Sequence, residues 1–93
     1  AYVFLLAECL AEAGVEAGLD PELAARLARA TVSGAGELLR RSGLSAAELR
    51  QNVTSPKGTT AAALEVLMGK DGFADLLKRA VAAAAKRSHE LSS

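Results

Sequence analysis

Ninety-three residues with 51% hydrophobic but only 3% aromatic content describe a single domain whose core, built largely from alanine, is thin. Eleven basic residues balance eleven acidic ones, so there is no basic field for a nucleic-acid backbone, and Tyr2, Phe4 and Phe73 are the only rings that could stack on bases. No apolar run is long enough to span a membrane, and Ala1 to Ala7 lacks the length and basic flank of a signal peptide.

The chain opens at once on an apolar helical pattern, Ala1-Tyr2-Val3-Phe4-Leu5-Leu6, with no cap and no initiator methionine. We read this start as the C-terminal piece of a longer protein. The first helix is expected from about Ala1 to Ala17, with Val3, Leu6, Leu10, Ala13 and Ala17 on one face and Glu8, Glu12 and Glu16 on a solvated one. Gly18 ends it. Cys9 has no second cysteine to pair with and suits a reducing, cytoplasmic setting. The only histidine, His89, lies near the far end of the chain, which argues against a Cys–His pair.

A second helix begins at Asp20 as N-cap, with Pro21 and Glu22 in its first turn, and runs to about Ser42 before Gly43. Leu23, Leu27, Ala30, Gly34 and Leu38 form its apolar or small face, and Arg26, Arg29, Arg40 and Arg41 its solvated one. Gly34 and Gly36 inside it cost about 1 kcal/mol each against alanine, which suggests a close helix crossing. A third, short helix from Ala46 to about Asn52 opens on a capping box, Ser45 with Glu48. The fourth opens near Gly58 or Thr59 and ends around Gly69. The fifth runs from near Gly72 to about Glu90, with Phe73, Leu76, Leu77, Ala80, Val81 and Ala84 as its buried stripe. Asp75 precedes Arg79 by four residues, and Lys86, Arg87 and His89 suit the helix end. The fold class is therefore all-α, a bundle of about five helices, and the thin core implies help from a second chain.

"NVTSPKGTT", Asn52 to Thr60, gathers more polar groups than a helix start needs. Free amides at a helix N-terminus attract anions, Gly58 permits close approach, Ser55, Thr59 and Thr60 offer hydroxyls, and Lys57 offers a charge. A carboxylate suits one helix end and one cation better than a triphosphate does, and no Walker A pattern is present. The residue types alone also allow a simple capped turn with spare hydroxyls. No metal-ligand cluster, Ser–His–Asp set or GxGxxG is present.

"VTSPKGTTAAALEVL" resembles the signature loop of the 1-pyrroline-5-carboxylate reductases, usually V-[TS]-S-P-G-G-[TA]-T. "AYVFLLAECLAEAGVEAGLDPELAARLARATVSGAGELL" is similar to that family's helices just after its dinucleotide-binding domain. "GKDGFADLLKRAVAAAAKRSHEL" is similar to its final helix. The likeness covers essentially all 93 residues.

The resemblance implies that residues 1–93 are a C-terminal dimerisation and substrate-binding domain, with the N-terminal dinucleotide-binding domain absent from this chain. NADPH or NADH would be bound mainly by that absent domain, with no cofactor or metal ligand here. The partner would be a second copy with interleaved helices, a homodimer that in the family can build decamers. The substrate would be pyrroline-5-carboxylate, reduced to L-proline in proline biosynthesis. Ser55 would donate its hydroxyl to the carboxylate, and Gly58, Thr59 and Thr60 their amides. Val53 would line the ring pocket, and Thr60, near the ring nitrogen, would be the catalytic candidate.

Lys57 departs from the family, which most often has glycine there. A positive φ would strain lysine by about 1–2 kcal/mol. Without one, the side chain either projects to solvent, the reading we adopt, or approaches the carboxylate. Two other readings compete: a structural dimerisation module with no ligand site, and the helical domain of another two-domain dehydrogenase. Zero net charge and few aromatics oppose a nucleic-acid-binding bundle.

Overall fold

Local capping chemistry sets the bounds of five helices: α1 (Tyr2–Glu16), α2 (Pro21–Arg41), α3 (Ala46–Asn52), α4 (Thr59–Leu67) and α5 (Phe73–Ser92). The structure, a computed structural model, describes residues 1–92, and there is no strand among them. The chain divides within α3 into two units, Ala1–Leu49 and the residues from Arg50 onward.

In the first unit, α1 ends in a Schellman motif. Gly18 takes φ +108°, its amide donates to the Val15 carbonyl (2.9 Å), and the Leu19 amide donates to the Gly14 carbonyl (3.0 Å). Asp20 then caps α2 by accepting the Leu23 amide. Ser45 and Glu48 exchange hydrogen bonds of 3.1 and 3.2 Å, the capping box expected from S-x-x-E.

The face that packs differs from the expected one. α1 rests on α2 through small residues: Ala7, Ala11 and Gly14 are half-buried, Val32 is half-buried, and Ala24 and Ala28 are the only buried hydrophobic residues described. A methyl at Gly14 would meet the Ala24 Cβ at 3.3 Å, so the close approach in this unit is here. A methyl added at Gly34 or Gly36 would have nothing within 4 Å of it, so no helix of this unit crosses them. The expected stripes remain open instead: Leu10 is 42% exposed, Leu27 47% and Leu38 51%. Leu10, Ala13, Leu19 and Leu27 border a groove of about 370 Å³. Small side chains let two helices of one chain approach each other, and the larger apolar ones are left facing outward.

In the second unit, α5 presents its expected stripe uncovered, with Phe73 42%, Leu76 50% and Val81 53% exposed. Asp75 does not pair with Arg79. Its carboxylate accepts the amide of Asp71 (3.0 Å), which stands in a left-handed conformation (φ +60°) just before the helix. A carboxylate in the first turn complements the helix dipole better than an exposed pair along the face. Gly72 is sterically required, because a methyl there would lie 2.2 Å from the Leu67 carbonyl oxygen.

The chain exposes 7673 Å² in all. Two separately compact bodies, each of half its mass, would together expose only about 6,100 Å². Among the described residues no helix is long and apolar enough to cross a membrane.

Candidate functional site

The polar loop begins where α3 runs out of partners. The Val53 and Thr54 amides donate to the Arg50 and Gln51 carbonyls, and the Thr54 hydroxyl donates to the Arg50 carbonyl at 2.6 Å. One of the loop's spare hydroxyls is thereby assigned to closing α3, a C-terminal cap the sequence pattern did not announce.

Ser55-Pro56-Lys57-Gly58 is a closed β-turn, its Gly58 amide donating to the Ser55 carbonyl at 3.1 Å. Proline suits the second position of such a turn, and the third position takes φ +61°. That position holds Lys57, so of the two backbone states open to it, the strained one is adopted. Its side chain is exposed.

Gly58 itself is extended (φ −86°, ψ −175°) and stands at the N-cap of α4 with no side chain to cap it. Its glycine character answers to space rather than to φ. A methyl would meet the Ser55 carbonyl oxygen at 3.2 Å and the Ser55 Cβ at 3.4 Å. The missing methyl thus gives the turn room to close against Ser55.

The consequence is an open helix start. The Ala62 amide is the first to find its helical partner, the Gly58 carbonyl. The amides of Thr59, Thr60 and Ala61 have no partner among the described residues, and neither do the hydroxyls of Ser55, Thr59 and Thr60. Such a start carries the positive end of the helix dipole and three outward N–H groups. Of the three amides expected to donate, Gly58's is engaged in the turn, and Ala61's is an open donor that sequence reasoning missed. The signal was available: an N-cap glycine offers no side-chain oxygen, so the first-turn amides stay unpaired.

Val53 is 66% exposed, so this unit alone does not enclose a ring beside it. A groove of about 310 Å³ between Arg50, Thr54, Ala61, Leu64 and Met68 involves neither Ser55 nor Thr60 and shares only Ala61 with the open helix start. Among the described residues no group of His, Cys, Asp and Glu could hold a metal ion. With no strand among those residues, the strand–glycine loop–helix unit that holds a dinucleotide phosphate is not formed by them.

A shifted titration lies elsewhere. Glu37, near the end of α2, is held below the usual carboxylate range by the Arg40 guanidinium (2.7 Å) and, next, by Arg41.

Comparison with known proteins gives consistent results. The family model described as pyrroline-5-carboxylate reductase dimerisation matches residues 1–91. Pyrroline-5-carboxylate reductase of Pisum sativum is 50% identical over 92 residues, covering 99% of this chain and 33% of that protein. Pyrroline-5-carboxylate reductase 1 of Bacillus subtilis (strain 168) is 42% identical over 92 residues, covering 99% and 31%. The crystal structure of Plasmodium falciparum pyrroline carboxylate reductase with NADP bound superposes with a TM-score of 0.92 at 37% identity, covering 99% of this chain and 37% of that one. The chain thus spans about a third of the length of the curated relatives it matches.

Proposed function

Because this chain belongs to the pyrroline-5-carboxylate reductase family, we propose that it is the dimerisation and substrate-carboxylate-binding part of an enzyme that reduces 1-pyrroline-5-carboxylate to L-proline. When bound, NADPH or NADH supplies the hydride, and it is held mainly by residues outside this chain. We place the enzyme in the cytoplasm, as a homodimer able to assemble further, up to a decamer.

The observation that carries the reading is the open start of α4. Three amides, at Thr59, Thr60 and Ala61, are unpaired, and so is the hydroxyl of Ser55, four residues before Thr59. A planar carboxylate accepts several such donors at once, and a preformed set costs little reorganisation on binding. The Ser55 hydroxyl donates to the carboxylate, and the amides fix its orientation. Val53 forms one wall for the ring once neighbouring surfaces close over it. Thr60 places a hydroxyl near the ring nitrogen. An imine accepts hydride more readily when protonated, so a donor at that nitrogen helps the chemical step.

Dimerisation is supported by area. The excess over two compact bodies is about 1,600 Å² per chain, so a pair would cover about 3,100 Å², in the range of obligate dimers. The uncovered leucines of α1 and α2 and the stripe of α5 are the surfaces that would be covered.

Kinetics of the full-length protein test the site. Ser55→Ala should raise KM for 1-pyrroline-5-carboxylate by about tenfold, the loss of one hydrogen bond to a charged group. Thr60→Ala should lower kcat by about 10²-fold with the oligomer intact. Wild-type kinetics in both variants would refute the assignment.

A further inference from the structure

The eleven acidic and eleven basic side chains are unevenly placed. Ala1–Leu49 holds seven acidic against four basic ones, a net −3, and the residues from Arg50 onward hold four against seven, a net +3. The division in charge coincides with the division into two compact units. Glu8, Glu12 and Glu16, the only charges on α1, are exposed and enter no ion pair among the described residues. They stand four residues apart, where like charges repel, with no cation on their helix to relieve them. Lys78, Arg79 and Lys86 of α5 are likewise exposed and unpaired among the described residues. Each unit also leaves large apolar side chains open: Phe4 is 77% exposed in the first and Val66 75% in the second.

We propose that the acidic unit of one copy docks on the basic unit of a second copy, and that charge sets this orientation. The proposal rests on the dimer reading given above and adds which surfaces meet. The uncovered area calls for a second copy, but apolar burial is non-directional and by itself also allows like units to meet. Charge opposes that arrangement, because it sets −3 against −3 at one contact and +3 against +3 at the other. The crossed arrangement sets opposite charges together at both contacts of a two-fold dimer. Charges around an apolar contact fix orientation and reject wrong pairings more than they add affinity. At 1 M salt they are screened within about 3 Å.

The test is sorting between charge variants of the full-length protein. Glu8→Lys, Glu12→Lys and Glu16→Lys together turn the first unit from −3 to +3, and Lys78→Glu, Arg79→Glu and Lys86→Glu together turn the second from +3 to −3. All six side chains are exposed, and lysine, arginine and glutamate have similar helix propensities, so the helices are kept. Differently tagged chains are unfolded, mixed in equal amounts and refolded, and the share of mixed dimers is read by native mass spectrometry. Random pairing gives about half. An exposed ion pair shifts an equilibrium by about 1.4-fold at the low end, so about six of them in a dimer shift it about eightfold. At low ionic strength the two threefold variants should therefore form about 90% mixed dimers with each other. The parent and the variant carrying all six changes should form only about 10%. Both shares should return to about half when refolding takes place in 1 M salt. A random share in either mixture at low salt would overturn the proposal, and so would shares that ignore salt. A majority of mixed dimers between the parent and the sixfold variant would also overturn it, because like units meeting gives that result. A threefold variant that refolds only with its complement supports the crossed pairing. Light scattering separates the two readings: a monomeric parent removes the dimer itself, whereas parent dimers that sort at random keep the dimer and remove the orientation.

Discussion

Replacing Gly72 by alanine should break the joint between α4 and α5. The added methyl would stand 2.2 Å from the Leu67 carbonyl oxygen, 2.8 Å from its carbon and 2.9 Å from the Gly69 carbonyl oxygen. All three are backbone atoms, so no side chain can swing aside. Relief requires a shift of about 1 Å, which overpacking measurements put at about 1–3 kcal/mol. The same shift pulls the Gly72 amide from the Gly69 carbonyl, now 3.0 Å away. Losing that bond adds about 1 kcal/mol. The total is about 2–4 kcal/mol, read as a lowered midpoint of denaturant unfolding at fixed chain concentration. Gly34→Ala is the control. Nothing among the described residues lies within 4 Å of its added methyl. It should gain about 1 kcal/mol of helix propensity where no second chain crosses it. A Gly72→Ala variant as stable as the parent would show that the turn is not held as described.

Lys57→Gly should stabilise the protein. It removes a left-handed penalty of about 1–2 kcal/mol and adds about 0.5–1 kcal/mol of chain entropy, for a net gain of about 0.5–1 kcal/mol in thermal or denaturant unfolding. Leu27→Ser should change little in the folding of a lone chain, because the side chain is already 47% exposed. It should weaken self-association by about 1.5–3 kcal/mol, seen by light scattering, if a second copy covers it. Glu37 has a pKa lowered by Arg40 and then Arg41, so its contribution is present above the usual carboxylate range and lost as pH falls through the lowered value. Glu37→Gln should therefore differ from the parent in melting temperature near neutral pH, and the difference should shrink in acid.

The helix boundaries were legible because capping is local chemistry. Asp20, the Ser45–Glu48 box and Gly18 each announce a boundary with side chains a few residues away, and each acts as the sequence suggests. Which face of each helix turns inward was not legible. Periodicity finds an apolar stripe but not what it packs against, and here Ala7, Ala11, Gly14, Ala24 and Ala28 are the residues covered in the first unit while the leucine stripes stay open. Gly14 carries a readable sign, the small residues at helical spacing on both helices, but two glycines inside one helix, Gly34 and Gly36, are the stronger signal in the sequence.

A helix start at Gly58 or Thr59 was legible from residue types. Two details at the site were not. Lysine itself gives no sign of a left-handed backbone, so the choice between the two states left open for Lys57 is made only by the closed turn, at φ +61°. Nor does the sequence show that the missing methyl of Gly58 makes room for Ser55.

The most direct test is a structure of the full-length protein with L-proline bound. The proline carboxylate should lie within hydrogen-bonding distance of the Thr59, Thr60 and Ala61 amides and the Ser55 hydroxyl. A carboxylate held by other groups, with the start of α4 left empty, would contradict it.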